Sequence, residues 1–283
     1  MKIITTCHEM QQTALAAKRS GQRIVFVPTM GYLHAGHASL LREGRTQGDL
    51  LVLSIFVNPI QFGANEDLGR YPRDIERDCQ LARECGVDLV FLPDPAGMYP
   101  PGFQTSISVE KLSQPLCGAS RPGHFDGVAT VVTKLFNIVQ PDVALFGKKD
   151  FQQLAVLRQM TSDLNLPVTI IGMPIVREQD GLAMSSRNAY LSAEQRESAL
   201  VLSRAIKLVR EQYQGGERSV AELQRAAESL ITSTSSACID YLEFRDSQTL
   251  QLVTTAGDTT LLALAVVIGT TRLIDNTVLG EEM

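Results

Sequence analysis

Basic residues are not in surplus in this chain. Lys and Arg total 26 against 31 Asp and Glu, so the 283 residues carry a formal net charge of −5. That balance argues against a broad basic face for RNA or DNA and leaves room only for a local patch, so no nucleic-acid partner is expected. Long apolar runs are also missing. The longest, Leu261–Ile268, has eight residues, whereas a membrane-spanning helix needs about 20; it reads as a buried strand. The opening MKIITTCHEMQQ turns polar after a very short apolar run, too short for the apolar core of a signal peptide. Cys7, Cys79, Cys85, Cys117 and Cys238 show no C-x-x-C spacing. An odd, scattered set suggests free thiols in a reducing compartment, and the chain is expected to be cytoplasmic with no membrane partner. The chain has neither G-x-x-x-x-G-K-[ST] nor G-x-G-x-x-G, and no internal repeat.

What is present points to a packed α/β protein. Hydrophobic residues make up 44% of the chain and charged residues 20%, enough for a sizeable core and too apolar for disorder. Apolar runs with little alternation occur at 23–27, 50–57, 87–92, 142–147 and 168–172, the pattern of strands covered on both faces. Amphipathic stretches lie between them, including 38–45, the run DIERDCQLARECG with Ile75, Cys79 and Ala82 on one face, GVATVVTKLFNIV and DFQQLAVLRQMTSDL. Strand and helix in alternation predict a doubly wound parallel sheet, with the carboxyl ends of the strands open for a site. The character changes after about Arg177. A long amphipathic helix follows Ser192 as its N-cap and stops at Gly215-Gly216; a second spans about 220–231, and IDYLEFRD, TTLLALAVVIG and TRLIDN look like a small sheet. The expected domains are 1–177 and a smaller α+β domain, 178–283.

The stretch VPTMGYLHAGHASLLREG joins a strand to a helix through a glycine-bearing loop. Such a junction suits an anion, because N–H groups of the first helical turn point outward and the macrodipole adds partial positive charge. Pro28 is expected to end the strand, and Gly31 and Gly36 to let the backbone approach a ligand. His34 and His37 fall on one side of the helical turn, where a polyphosphate would keep the imidazoles protonated and they would follow charge growing in phosphoryl or nucleotidyl transfer. The same pattern is compatible with a zinc pair or a plain surface loop. Only His8 and His124 remain elsewhere, and no Cys or carboxylate cluster adjoins the pair. Far downstream, DGLAMSSRNAYLS brings Ser185, Ser186 and Arg187 together, hydroxyls and a fixed charge suited to phosphate oxygens, or simply a solvated loop between domains.

The blocks VPTMGYLHAGHASLL, SIFVNPIQF, YPRD, GASRPGHFDGVATVVTKLFNIVQPD, FGKKDFQQLAVLRQM and GLAMSSRNAYLS, with RLIDN after them, occur in one order. Together they resemble the pantoate–β-alanine ligase (pantothenate synthetase) family, within the nucleotidyl transferases that share a His-x-Gly-His signature. The resemblance implies a Rossmann-like N-terminal domain, a smaller C-terminal lid, a homodimer, and ATP with Mg²⁺. It implies that pantoate attacks the α-phosphorus of ATP to give pantoyl adenylate and pyrophosphate, and that β-alanine then displaces AMP to form pantothenate. Such a reaction needs reactants held in line, charge relief on phosphate and exclusion of water from a labile anhydride.

The resemblance implies ATP along Met30, Gly31, Tyr32, Leu33, His34, Ala35, Gly36 and His37, with His37 as the acid that assists pyrophosphate departure and His34 beside it on the phosphates. It further implies ATP at Gly147, Lys148, Lys149, Asp150, Val176, Met184, Ser185, Ser186 and Arg187. Lys149 and Arg187 would neutralise developing charge, Asp150 would accept from ribose hydroxyls, and backbone at Val176 and Met184 would recognise adenine. Gln61 and Gln153 are implied for pantoate, and Gln61 also for β-alanine; an amide binds hydroxyl and carboxylate without burying a charge. Arg121 is a candidate for the β-alanine carboxylate or the lid, and Asp78 for magnesium, although a solvated helix position is its plainer reading. Asn58-Pro59 alone reads as a strand-ending turn, Asp150 as a helix N-cap, and RPGHFDG as a loop. Many family members have Glu where this chain has Lys148, so no role is assigned to that side chain. The rivals are a sister adenylyltransferase, which would join rather than release a nucleotide, and a non-catalytic ATP sensor, which would lack a histidine or the Ser-Ser-Arg stretch.

Overall fold

The computed structural model describes residues 1–64 and 66–281. In chain order the strands are β1 (Lys2–Ile4), β2 (Ile24–Thr29), β3 (Leu50–Ile55), β4 (Leu89–Phe91), β5 (Val143–Gly147), β6 (Thr169–Met173), β7 (Ala237–Asp246), β8 (Thr260–Ile268) and β9 (Thr271–Val278). The helices are α1 (Cys7–Arg19), α2 (Ala35–Thr46), α3 (Ile75–Glu84), the single turns α4 (Pro95–Met98) and α5 (Cys117–Ser120), then α6 (His124–Val139), α7 (Phe151–Asp163), α8 (Ala193–Ala199), α9 (Val201–Gln214) and α10 (Val220–Thr232). The chain divides into two compact units: Met1–Lys148 with Gln152–Met173, and Lys149–Phe151 with the chain from Pro174 onward.

The first unit is a six-stranded sheet of order β1-β4-β3-β2-β5-β6, parallel throughout. The lack of alternation in its strands has a direct cause. Ile24 and Phe26 of β2 enter one core with residues of α1, α6 and α7, while Val25 and Val27 enter the other with Leu41 of α2 and Ala82 of α3. Both faces are covered, so successive side chains are all apolar. β2 continues to Thr29, one residue past Pro28. Its pairing with β5 covers only Val25 and Phe26, so at Pro28 the strand has its β3 neighbour alone, and a residue without an N–H is tolerated at such an edge. In α3, Cys79 and Ala82 are buried as expected but Ile75 is 41% exposed; Asp78 turns inward instead.

In the second unit α8, α9 and α10 pack with an antiparallel sheet, β7-β8-β9. Leu262, Leu264, Val266 and Ile268 of β8 join the helices in one core, so the longest apolar run is the buried central strand. Ser192 is the N-cap of α8, in a reciprocal capping box with Gln195. The single long helix expected here is two helices: the Leu200 N–H reaches back only to Glu197 O (3.3 Å), the i−3 bond of a tightened last turn, and α9 starts at the next residue.

Candidate active site

All six strands of the first sheet are parallel, so the loops after β2, β3 and β5 leave the same end of it. β2 lies between β3 and β5. The chain builds outward on one side through β3 and β4 and then returns to the other side with β5. Such a switch point opens a crevice at the carboxyl ends of the strands. Three sequence-predicted segments follow these strands: Met30–His37 after β2, Asn58–Gln61 after β3, and Gly147–Lys148 at the end of β5.

The loop after β2 is held in an unusual shape. Gly31 and Tyr32 have φ of 86° and 51°, two left-handed residues in succession, and the non-glycine one costs about 1–2 kcal/mol. A Cβ on Gly31 would lie 2.9 Å from Ile55 Cγ2 and 3.0 Å from Asp78 Oδ2, so this glycine serves close packing as well as the turn. Asp78 offsets the strain. Its side chain is fully buried, and its two oxygens accept from the N–H groups of Tyr32 (2.7 Å) and Leu33 (2.6 Å). Burial pushes its carboxyl above the usual range, and the two N–H donors oppose that shift. The Gly31 N–H donates to Thr29 Oγ1 (3.2 Å), and the Arg77 guanidinium lies 5.0 Å from the Tyr32 ring centre. Leu33 is fully buried and anchors the loop from beneath.

His34 is the N-cap of α2, and the two histidines form a reciprocal capping box. His34 Nδ1 accepts from the Gly36 N–H (3.1 Å), and His37 Nδ1 accepts from the His34 N–H (3.3 Å). An Nδ1 that accepts a backbone N–H carries no proton, so each ring is neutral with its hydrogen on Nε2. The ring centres are 4.1 Å apart, a spacing that two imidazolium charges would oppose. Each histidine therefore presents an Nε2–H donor. The Gly36 N–H is taken by the cap. Ala35 opens the helix and is exposed.

Beside this loop the Gln61 side chain is buried in a chain of amides. Its Nε2 contacts Met30 Sδ (3.2 Å), and its Oε1 accepts from Asn58 Nδ2 (3.0 Å). Asn58 also donates to Gly127 O (3.1 Å) and accepts from the Tyr99 hydroxyl (2.7 Å). Nothing in the sequence marks Tyr99 or Gly127 as neighbours of this turn. A Cβ on Gly127 would come within 2.6 Å of Ile60 O, so the residue must be glycine for α6 to approach. Gln153 is half-buried near the start of α7, whereas the adjacent Gln152 is structural: it accepts from the Cys117 N–H and donates to Leu112 O and Pro115 O.

Arg121 forms a two-pronged ion pair with Glu66, Nε to Oε1 at 2.7 Å and Nη2 to Oε2 at 2.5 Å. Its Nη1 lies 3.1 Å from His124 Nε2, and His124 Nδ1 lies 2.9 Å from Gln61 O. Arg can only donate, so His124 accepts at Nε2 and its Nδ1–H donates to Gln61 O. Burial alone would raise the Glu66 carboxyl; the hydrogen bonds and charge of Arg121 bring it below the usual range.

The second unit gathers its own predicted residues around β9. The Met184 N–H donates to Val176 O (2.9 Å), and Arg177 bridges to Ala183, so residues 176–184 form a narrow hairpin. The two backbone groups named for adenine thus bond each other on one side. The hairpin is tied to β9 by Arg177, whose two nitrogens donate to Asp275 at 2.7 and 3.0 Å. Ser185 Oγ accepts from the Arg187 N–H (3.3 Å) and caps the short 3-10 turn Ser186–Tyr190, which packs beside β9 with Ser186 buried. Lys149 and Asp150 lie in the 3-10 turn after β5, Asp150 exposed, and Lys149 O accepts from Asn276 Nδ2 (2.8 Å).

No group of three His, Cys, Asp or Glu side chains suited to a metal exists among the described residues. Among them, too, no helix is long and apolar enough to cross a membrane.

Comparisons with known proteins agree with this fold. The family model described as Pantoate-beta-alanine ligase matches residues 2–278. The chain is 70% identical over 281 residues to the pantothenate synthetase of Trichlorobacter lovleyi, covering 99% of both chains. It is 61% identical over 282 residues to that of Geobacter sulfurreducens, covering 100% of both. The crystal structure of pantothenate synthetase from Thermus thermophilus superposes with a TM-score of 0.93 at 47% identity, covering 99% of each chain. The pantoate-beta-alanine ligase of Francisella tularensis, complexed with beta-gamma ATP and beta-alanine, gives a TM-score of 0.82 at 32% identity, covering 100% of this chain and 99% of that one. The chain belongs to the pantoate–β-alanine ligase family and is an enzyme that makes pantothenate from pantoate and β-alanine with ATP.

Proposed function

We propose that the reaction runs through pantoyl adenylate, with AMP and pyrophosphate as the other products. In this reading Met30–His37 lies along ATP, and His34 and His37 donate from Nε2–H to phosphate oxygens. Neutral donors aimed at growing phosphate charge stabilise the transition state without having to give up a proton. The capping box carries the reading, because it fixes both rings in the tautomer with the hydrogen on Nε2. Lys149 and Arg187 supply full positive charge, Ser185 and Ser186 hydroxyls, and Asp150 an acceptor for ribose; Gly147 and Lys148 contribute backbone. Adenine is read by backbone groups at Val176 and Met184.

Gln61 and Gln153 bind pantoate, and Gln61 also meets β-alanine. The Asn58 donor leaves the Gln61 amide nitrogen to face the substrate from beside Met30. Arg121 is the candidate for the β-alanine carboxylate and holds Glu66 in the structure. The Francisella enzyme's complex with beta-gamma ATP and beta-alanine supports ATP and β-alanine as the ligands of this reading.

Magnesium fits as the counter-ion of ATP, not as an ion held by the protein. Asp78 has both oxygens engaged by Tyr32 and Leu33 and, among the described residues, belongs to no group of three His, Cys, Asp or Glu side chains that could hold a metal, and Mg²⁺ commonly rests on substrate phosphates. When bound with ATP it offsets phosphate charge. The remaining expectations, a cytoplasmic homodimer with residues 178–283 acting as a lid, are part of this proposal. β6, an edge strand whose Ile170, Ile171 and Met173 are half-buried, is the first face to test for pairing.

The test is AMP release with each substrate omitted in turn. AMP should accumulate over many turnovers only with pantoate, β-alanine and ATP together. With β-alanine omitted, isotope exchange between pyrophosphate and ATP should persist and require pantoate. Absence of that exchange would remove the adenylate from the mechanism.

A further inference from the structure

Strand β9 buries three polar side chains in succession. Asp275, Asn276 and Thr277 are all more than nine-tenths buried. Buried polar groups require partners, and these three find theirs in three different places. Asp275 accepts the fork of Arg177, which holds the hairpin 176–184. Thr277 Oγ1 accepts from Arg210 (2.8 Å), which also donates to Val278 O, an arrangement wholly within the fold. Asn276 points the other way along the pleat, and its Nδ2 donates to Lys149 O at 2.8 Å, across 127 positions of sequence. Its own N–H, on the edge of the sheet, donates to Asp275 Oδ1 (2.8 Å). One carboxylate therefore receives both the hairpin's arginine and the backbone of the residue that holds Lys149.

We infer that Asn276 is a positioning residue for the reaction: it fixes the peptide at Lys149, while Asp275 ties the same point of β9 to the hairpin preceding Met184–Arg187. The inference rests on the proposed action of Lys149 on ATP. A side-chain amide that holds a carbonyl restricts the backbone from which the Lys149 chain extends. A displacement of about 1 Å at a reacting group is enough to cost about 100-fold in rate. The same amide contributes little to the ground-state binding of ATP, so its removal should appear in kcat.

The experiment uses the full-length enzyme. Asn276→Ala should lower kcat by about 10- to 100-fold, with KM for ATP and pantoate changing less than about threefold. Asn276→Asp, nearly isosteric but without the donor, should show the same kinetic pattern. Thr277→Val is the control: it should lower Tm by at least as much while kcat stays at the wild-type value. In a Lys149→Ala background, Asn276→Ala should cause little further loss, because both changes act through one group. A kcat for Asn276→Ala and Asn276→Asp equal to wild type, while Lys149→Ala is crippled, overturns the inference alone. So do losses that track Tm equally in the Thr277 and Asn276 variants, or that add in full to the loss from Lys149→Ala. Wild-type turnover in Lys149→Ala instead overturns the reading of Lys149, and the inference with it.

Discussion

The histidine loop and the serine–arginine stretch are both assigned to ATP, yet the chain holds them by different means. Met30–His37 is clamped from beneath: Leu33 is buried, Asp78 accepts two backbone N–H groups, and two left-handed residues are kept in place by that carboxylate. Met184–Arg187 is hung from a sheet edge, through the Arg177–Asp275 ion pair and the packing of its 3-10 turn beside β9. In the first, a buried charge and a tight turn set the positions of ring nitrogens before substrate arrives. In the second, an ion pair and an edge strand set the course of the backbone. The difference teaches that preorganisation has two sources, local strain held by a buried acceptor and a remote strand that acts as a rail.

The largest expected effect is on the first loop. His37→Ala should cut adenylate formation by about 10²–10³-fold while ATP still binds, if its Nε2–H acts on developing charge. Pre-steady-state pyrophosphate release measures the rate and nucleotide titration the affinity; unchanged turnover would break the assignment. Gln153→Ala should come next, raising KM for pantoate by about tenfold, as loss of a hydrogen bond near about 1.4 kcal/mol would, and changing that for β-alanine far less. Equal losses for both substrates would contradict its role.

Asp78→Asn probes the clamp itself. One carboxylate oxygen becomes an NH₂ group facing backbone donors, so about 1–3 kcal/mol of stability should be lost, seen as a lower Tm. The Mg²⁺ concentration for half-maximal activity should not move. A large rise in that requirement would make Asp78 a metal ligand after all. The smallest effect is expected from Glu66→Gln. Arg121 holds the Glu66 carboxyl below its unfolded value, so the pair contributes stability above the ordinary carboxylate range. That contribution is lost as pH falls through the lowered folded value. The variant should therefore melt slightly lower at neutral pH and show a flatter acid limb, and a thermal-melt series from about pH 7 to 3 would reveal it.

Much of the fold was legible because burial on two faces writes itself as uninterrupted Val, Ile, Leu and Phe. The apolar runs correspond to β2 to β6 and, in the second unit, to β7 to β9. β1 and α1 carry no such signal. β1 is three residues with only Ile4 buried, and the inward stripe of α1 is Met10, Ala14 and Ala17, too weakly apolar to stand out. Among the candidate residues, His34 and His37 were legible as a motif, but their tautomer was not, because it depends on which backbone N–H each Nδ1 meets. Asp78 was visible only as a carboxylate on a helix. Its burial against Tyr32 and Leu33 joins residues 46 and 45 positions apart. Likewise RLIDN was legible as a block, while the partners of Asp275 and Asn276 lie 98 and 127 positions away.

The amino-acid order by itself determined most of the strands and helices, many of the turns between them, and which chemical groups stand at those turns. Periodicity, capping and backbone preference act over a few residues, so they can be read from the chain as written. Only the tertiary structure decided which of those groups are held, in what protonation, and by whom. A buried carboxylate or amide must find a partner, and the nearest one in space is set by how sheets and helices pack rather than by distance along the chain.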